Sequence, residues 1–298
     1  MTRVIWASLN PHAGERGAWD QSVIEELTAD PEFQHETRGD DLWGTEGAVV
    51  VIAGQHNAAG DAPARLADRI AGLDWSLVLV SSDEERLFNL ARLPIGPSRE
   101  TWLQYHASPY ADRLLPIGVP PGTGEVLEAN GCAVRNRSIV FAGQDTHERR
   151  HELLGVLKDL AVEEHPDMQW LMTTGFRLGY TQDAYLGLLQ RTRLAPCPSG
   201  PHSLDSFRLY ESLAAGALPI IETHTPHGYE AEFWTALFGE DHPIPTVDSW
   251  LALPVLADEY ADGKRWRAKR DEVQRWWAGF REDLEIGFAR TIARLRES

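Results

Sequence analysis

An arginine and a glutamate three residues apart, Arg208 and Glu211, follow a Pro198-Ser199-Gly200 turn and two capping candidates, Asp205 and Ser206. If a helix opens at Asp205 or Ser206, positions three apart share one face, so both side chains stand near its start. The unpaired N–H groups of a helix N-terminus, with an arginine beside them, suit an anion such as a diphosphate. Glu211, one turn further in, suits hydrogen bonds from sugar hydroxyls. The competing structural reading is an ion pair between the two on a solvated face, where such spacing is common.

The surrounding residues supply the elements that position this pair. Leu194 and Ala195 read as the end of a strand, and the Pro/Ser/Gly turn breaks its ladder. Phe207, Tyr210, Leu213 and Ala214 recur at helical spacing, which predicts a helix over about 207–215 with Gly216 at its C-terminal cap. A second apolar run, Ala217 to Ile221, predicts the next strand. The whole segment, CPSGPHSLDSFRLYESLAAGALPII, resembles the donor site of the exostosin-type glycosyltransferases, and more loosely the compact bacterial and phage members of that group. There a Pro-x-Gly turn, an Asp-Ser-x-Arg-x-x-Glu helix and a Gly-x-x-Pro turn follow in the same order.

That resemblance implies transfer of a sugar from a nucleotide-diphosphate donor, expected to be UDP-linked, on a GT-B fold of two Rossmann-like domains facing a central cleft. It assigns donor contacts to Ser199, Gly200, Asp205, Ser206, Arg208 and Glu211. The run FAGQDTHERR resembles another donor-side turn of these proteins, which adds Gln144 and one of Arg149 and Arg150 as a phosphate contact; the structural alternative pairs both arginines with Glu148 or Glu152. Tyr180 is the candidate for holding the nucleobase, against a plain surface role. The run SSDEERLF resembles the Asp-Glu turn of bacterial and phage exostosin-like proteins. Asp83 and Glu84 are accordingly the catalytic candidates for taking the acceptor proton, with helix capping as the alternative. His12 and His56, after the first and second strands, are lesser acceptor-side candidates, and Asp20 reads as a helix cap.

Alternating β-rich and helical patterns support an α/β chain with parallel sheets. In the first half, strands are expected at 4–9, 48–53, 77–80 and 114–119, with a further short one at 102–105. Helices are expected at about 21–29, 64–71 and 86–91. The Pro/Gly-rich stretch Pro120 to Asn130 reads as a linker, which divides the chain into an acceptor-side domain, 1–125, and a donor domain, 126–298. The second domain repeats the scheme, with strands at 139–142 and 170–173 and helices at 148–160 and 183–189. From Lys264 a long amphipathic helix is expected, with Trp266, Val273, Trp277 and Phe280 on its apolar side, crossing back by analogy with folds of this kind.

Composition narrows the function class. A chain of 298 residues, 43% apolar and 24% charged, is that of a globular protein with room for two cores. No apolar run spans a bilayer and the start is not a signal peptide, so a cytoplasmic protein with Cys132 and Cys197 as reduced thiols is expected. The net charge of −17 argues against a broad nucleic-acid footprint. No Asp-x-Asp motif is present, so metal-independent catalysis without a cofactor is expected, arginines replacing the cation. The resemblance implies as expected acceptor a glycan or small molecule, or a hydroxymethylated base in phage DNA. The alternatives are a non-catalytic nucleotide-sugar or glycan binder and a sugar-nucleotide epimerase or hydrolase.

Overall fold

Continuous Val, Ile and Leu runs make the central strands, because a strand covered on both faces has no polar side to present. The computed structural model describes residues 1–7, 19–39, 41–131, 134–163, 167–173, 179–230 and 232–298. The chain divides into two units, residues 1–118 with 281–298, and residues 119–280. Each is a Rossmann-like α/β unit on a parallel sheet.

Unit 1 runs β1 (Thr2–Ala7), α1 (Ser22–Leu27), β2 (Phe33–Arg38), β3 (Ala48–Ala53), α2 (Ala62–Ala71), β4 (Ser76–Ser81), β5 (Arg99–Leu103) and β6 (Arg113–Leu114). The strand order is β2-β1-β3-β4-β5-β6, every pair parallel. Every residue of β3 and β4 is buried. The edge strand β2, FQHETR, has no apolar alternation and escaped the sequence reading; ion pairs of Glu36 with Arg3 (2.6 Å) and Arg38 (2.8 Å) support it instead.

Three expectations for unit 1 are corrected. The helix expected at 86–91 is a loop ending in a 3-10 turn, Leu90–Arg92. Arg86 sits at φ +57°, and the Asp83 carboxylate accepts the N–H groups of Leu87 (2.8 Å) and Phe88 (3.1 Å) that a helix would use. The last two strands are also shifted: β5 begins at Arg99, Tyr105 turns away at φ +72°, and only Arg113–Leu114 pairs beyond it. Asp20 does not cap α1, whose N-cap is Gln21. It is buried and accepts hydrogen bonds from Ser82 Oγ and Tyr105 OH, both at 2.9 Å.

Unit 2 runs α3 (Thr123–Asn130), β7 (Arg137–Gln144), α4 (Glu148–Glu163), β8 (Gln169–Thr173), α5 (Gln182–Gln190), β9 (Thr192–Cys197), α6 (Phe207–Ala214) and β10 (Leu218–Glu222). It continues through a hairpin of β11 (His224–Thr225) and β12 (Gly228–Tyr229) to α7 (Glu232–Phe238), β13 (Thr246–Val247), α8 (Leu253–Glu259) and α9 (Gly263–Glu297). The parallel sheet has the order β13-β10-β9-β7-β8. The expected linker at 120–130 is mostly helix: Gly122, at φ +80°, starts α3, and Val126 and Leu127 pack on Leu186, Leu189 and Ala195. Two apolar residues in one short helix leave too little period to read from sequence.

The 35 residues of α9 belong to unit 2 as far as Phe280 and to unit 1 from Arg281. In unit 2, Trp266 and Val273 are buried and Trp277 lies 5.7 Å from the Tyr210 ring. In unit 1, Phe288 packs between Phe33 and Trp102, both ring centroids 5.9 Å away. Among the described residues no helix is long and apolar enough to cross a membrane.

Candidate functional site

Strand order locates the site. In unit 2, β7 is flanked by β8 on one side and β9 on the other. The chain therefore reverses its winding direction between β7 and β9, and ligands of open α/β sheets bind at the carboxyl ends of such a pair. Those ends are Gly143-Gln144 and the Pro/Ser/Gly turn that follows Cys197.

Arg208, in the first turn of α6, reaches across to β7. Its Nε donates to the Ala142 carbonyl at 2.9 Å, and the guanidinium carbon lies 5.4 Å from the Phe141 ring centroid. Gly143 makes the approach possible, since a Cβ there would stand 2.5 Å from Nη2 of Arg208. Among the described residues no ion pair joins Arg208 to Glu211 or to any other carboxylate, so the competing structural reading of that spacing is not realised.

Glu211 is 8% exposed, and burial pushes its carboxyl up to about 7 despite the opposing pull of Arg208. Tyr185 of α5 shares this neighbourhood, its phenol pushed up by burial and by Glu211. Cys197 is a free, buried thiol, raised to about 12 by burial; Cys132 lies outside the described residues.

The turn after β9 is held rigidly. Ser199 N–H donates to Glu222 Oε1 at 2.7 Å. Its carbonyl lies 3.1 Å from His147 Nε2 and accepts from Arg150 Nε, also at 3.1 Å. Burial and the adjacent Arg150 depress His147 to about 4, so at neutral pH the ring is uncharged and carries its proton on Nε2, facing the carbonyl. Gly200 N–H donates to the Ser203 carbonyl at 2.8 Å. Within this fixed frame the hydroxyls of Ser199 and Ser206 are buried and have no hydrogen-bond partner among the described residues. Ser206 has the extended backbone of the α6 N-cap without a capping bond, while the Asp205 carboxylate accepts from Tyr210 OH at 2.6 Å.

The remaining expected residues are placed as follows. Arg149 is committed to the buried Glu222 carboxylate (2.7 Å) and the Asp248 carbonyl (2.8 Å), and lies 3.4 Å from Glu152. Arg150 is buried and joins the Ser199 carbonyl to that of Gln144, at the tip of β7. Tyr180 OH accepts from Gln169 Nε2 at the amino end of β8, so its hydroxyl is not gathered with the others. In unit 1, Asp83 is fully buried and engaged by its own loop, 3.7 Å from His106 Nε2, and Glu84 is half-buried. His56 is exposed after β3 and His12 lies outside the described residues.

Sequence reasoning missed Glu222, Tyr185 and His147. Glu222 had a signal, a carboxylate closing the wholly apolar run LPII at a strand's carboxyl end. Tyr185 and His147 had none, because the influence of Glu211 on the first and the bond of the second to Ser199 depend on tertiary placement. Among the described residues no three His, Cys, Asp or Glu side chains are gathered to hold a metal ion. Among the described residues the arrangement is a half-buried cation without a carboxylate partner, two unbonded hydroxyls and an acid titrating near neutrality, a set suited to an oxyanion that carries hydroxyl groups.

A family model described as the RXYLT1 C-terminal domain, an exostosin-related glycosyltransferase family, matches residues 135–295. No curated protein matches the chain.

Proposed function

Because the chain belongs to the RXYLT1 C-terminal domain family, we propose that it transfers a sugar from a nucleotide-diphosphate sugar to an acceptor hydroxyl. The supporting observation is Arg208, half-buried at the unit 2 switch point and, among the described residues, with no carboxylate partner and with unbonded Ser199 and Ser206 hydroxyls in the same segment. A guanidinium so placed is best satisfied by an incoming phosphate.

In the reaction the bond between the anomeric carbon and the diphosphate oxygen breaks, and its electron pair leaves with the diphosphate. Arg208 and the first N–H groups of α6 face that growing charge, so they hold the transition state more tightly than the ground state. They supply positive charge that a divalent cation supplies elsewhere, and the reaction proposed is metal-independent. Glu211 orients the donor through its hydroxyls. For the acceptor proton, Glu84 is the more accessible of the two unit 1 carboxylates, since Asp83 is buried and tied to Leu87 and Phe88. The acceptor proposed is a glycan or small molecule, and the donor nucleotide is uridine diphosphate.

The test is calorimetric binding of UDP, GDP, dTDP and their sugar conjugates to wild type, Arg208→Ala and Glu211→Ala. Selective binding of a uridine nucleotide, weakened at least tenfold in both variants while each still unfolds cooperatively, is the expected result. No binding to folded wild type defeats the donor assignment.

A further inference from the structure

At the amino end of the unit 2 sheet, opposite the edge that carries Arg208, a cavity of about 410 Å³ is lined by Gly131, Arg135, Gln190, Arg193, Ala215, Trp266, Arg267 and Arg270. Four of these eight residues are arginines and none is acidic. That is the reverse of a chain in which 45 acidic residues outnumber 28 basic ones.

The arginines are organised around one indole. The guanidinium carbons of Arg135, Arg193 and Arg270 lie 5.9, 5.9 and 5.2 Å from the Trp266 ring. Trp266 is itself buried and fixed by an N–H bond to the Arg193 carbonyl at 3.0 Å. Stacking on an aromatic face orients a guanidinium while leaving its N–H edges free for an oxyanion. Part of the donor capacity is structural: Arg135 caps the carbonyls of Leu189, Thr192 and Ala215, and Arg270 pairs with Asp271 at 2.6 Å. Arg267 is different, being exposed with no hydrogen bond or ion pair among the described residues. Gln190 also lines the cavity, and its side-chain oxygen is buried with no hydrogen-bond partner among the described residues, an acceptor that calls for a hydroxyl rather than an anion.

We propose that this cavity is a second ligand site, separate from the candidate donor site, for a small phosphate ester carrying hydroxyls, such as a sugar phosphate. Arg193 and Arg270, beside the indole, and the exposed Arg267 take the phosphate, Arg135 holds the cavity wall, and Gln190 accepts from a ligand hydroxyl. The proposal does not depend on the transferase reading.

The test uses the full chain carrying Arg208→Ala, so that phosphate binding at the β7–β9 edge is weakened, with glucose 1-phosphate, inorganic phosphate and glucose as calorimetric probes. Glucose 1-phosphate is expected to bind saturably at one site, inorganic phosphate to compete with it more weakly, and glucose not to bind. Adding Arg267→Glu should weaken glucose 1-phosphate at least tenfold, and Arg270→Gln should do so independently, with the ligand-free melting temperature unchanged in the first. Inorganic phosphate binding as tightly as the ester overturns the ester assignment. No saturable binding, or an affinity within twofold of the parent after Arg267→Glu, overturns the site.

Discussion

A buried carboxyl and a half-buried imidazole act in opposite senses on how unit 2 responds to pH. Glu211 has its carboxyl raised to about 7, so its contribution to stability is full below the ordinary carboxylate range, near 4.5, and is lost as pH rises through 7. His147 is depressed to about 4, so its contribution is full above 6.5 and is lost as pH falls through 4. The two oppose each other between about 4.5 and 6.5. Glu211→Gln is therefore expected to be more stable than wild type at pH 8, by roughly 1–3 kcal/mol in urea titrations, and to lose stability more steeply on acidification. An anion bound beside Glu211 raises its carboxyl further. Nucleoside diphosphate binding by wild type should thus weaken above pH 7 with proton uptake near neutrality, whereas Glu211→Gln should show neither effect in calorimetry across buffers of different ionisation heat.

At the scale of elements, one glycine and one ion pair can be told apart by what their loss does. Gly143→Ala puts a methyl 2.5 Å from the tip of Arg208, a flexible end that moves aside, and 2.9 Å from the buried Phe141 ring, which yields less easily. The expected outcome is nucleotide binding weakened about tenfold, with a melting temperature lowered by a few degrees. Arg149→Ala leaves Glu222 buried without its partner at the end of β10, and a loss of about 3–5 kcal/mol is expected in chemical unfolding. Adding Glu222→Gln should recover part of it. The same elements mark the reach of sequence. The run AVVVIA and the spacing of Phe207, Tyr210 and Leu213 made β3 and α6 legible, because burial writes itself into periodicity. The strand β2 and the helix α3 were not legible: one is a polar edge held by Arg3 and Glu36, the other buries only Val126 and Leu127. In the candidate site, Arg208 and Glu211 were readable from spacing on one helix. The clamp of Glu222, His147 and Arg150 on Ser199 was not, since its partners lie 23, 52 and 49 residues away from the turn they hold.

At the scale of the whole chain, α9 is the one helix shared by both units, and its two ends do different work. Leu284, Phe288, Ile292 and Leu295 are nearly fully buried in unit 1. Phe288→Ala should cost about 3–5 kcal/mol. Hydrogen exchange would locate the damage, protection falling in β1, β2 and β5 while β7, β9 and β10 keep theirs. The division of the chain also orders its synthesis. The strands of unit 1 leave the ribosome before unit 2, yet the residues that complete them, 281–298, leave after it. Unit 2 is therefore complete while the earlier-made sheet still waits with Phe33 and Trp102 uncovered, and the first half of the polypeptide becomes the second to mature.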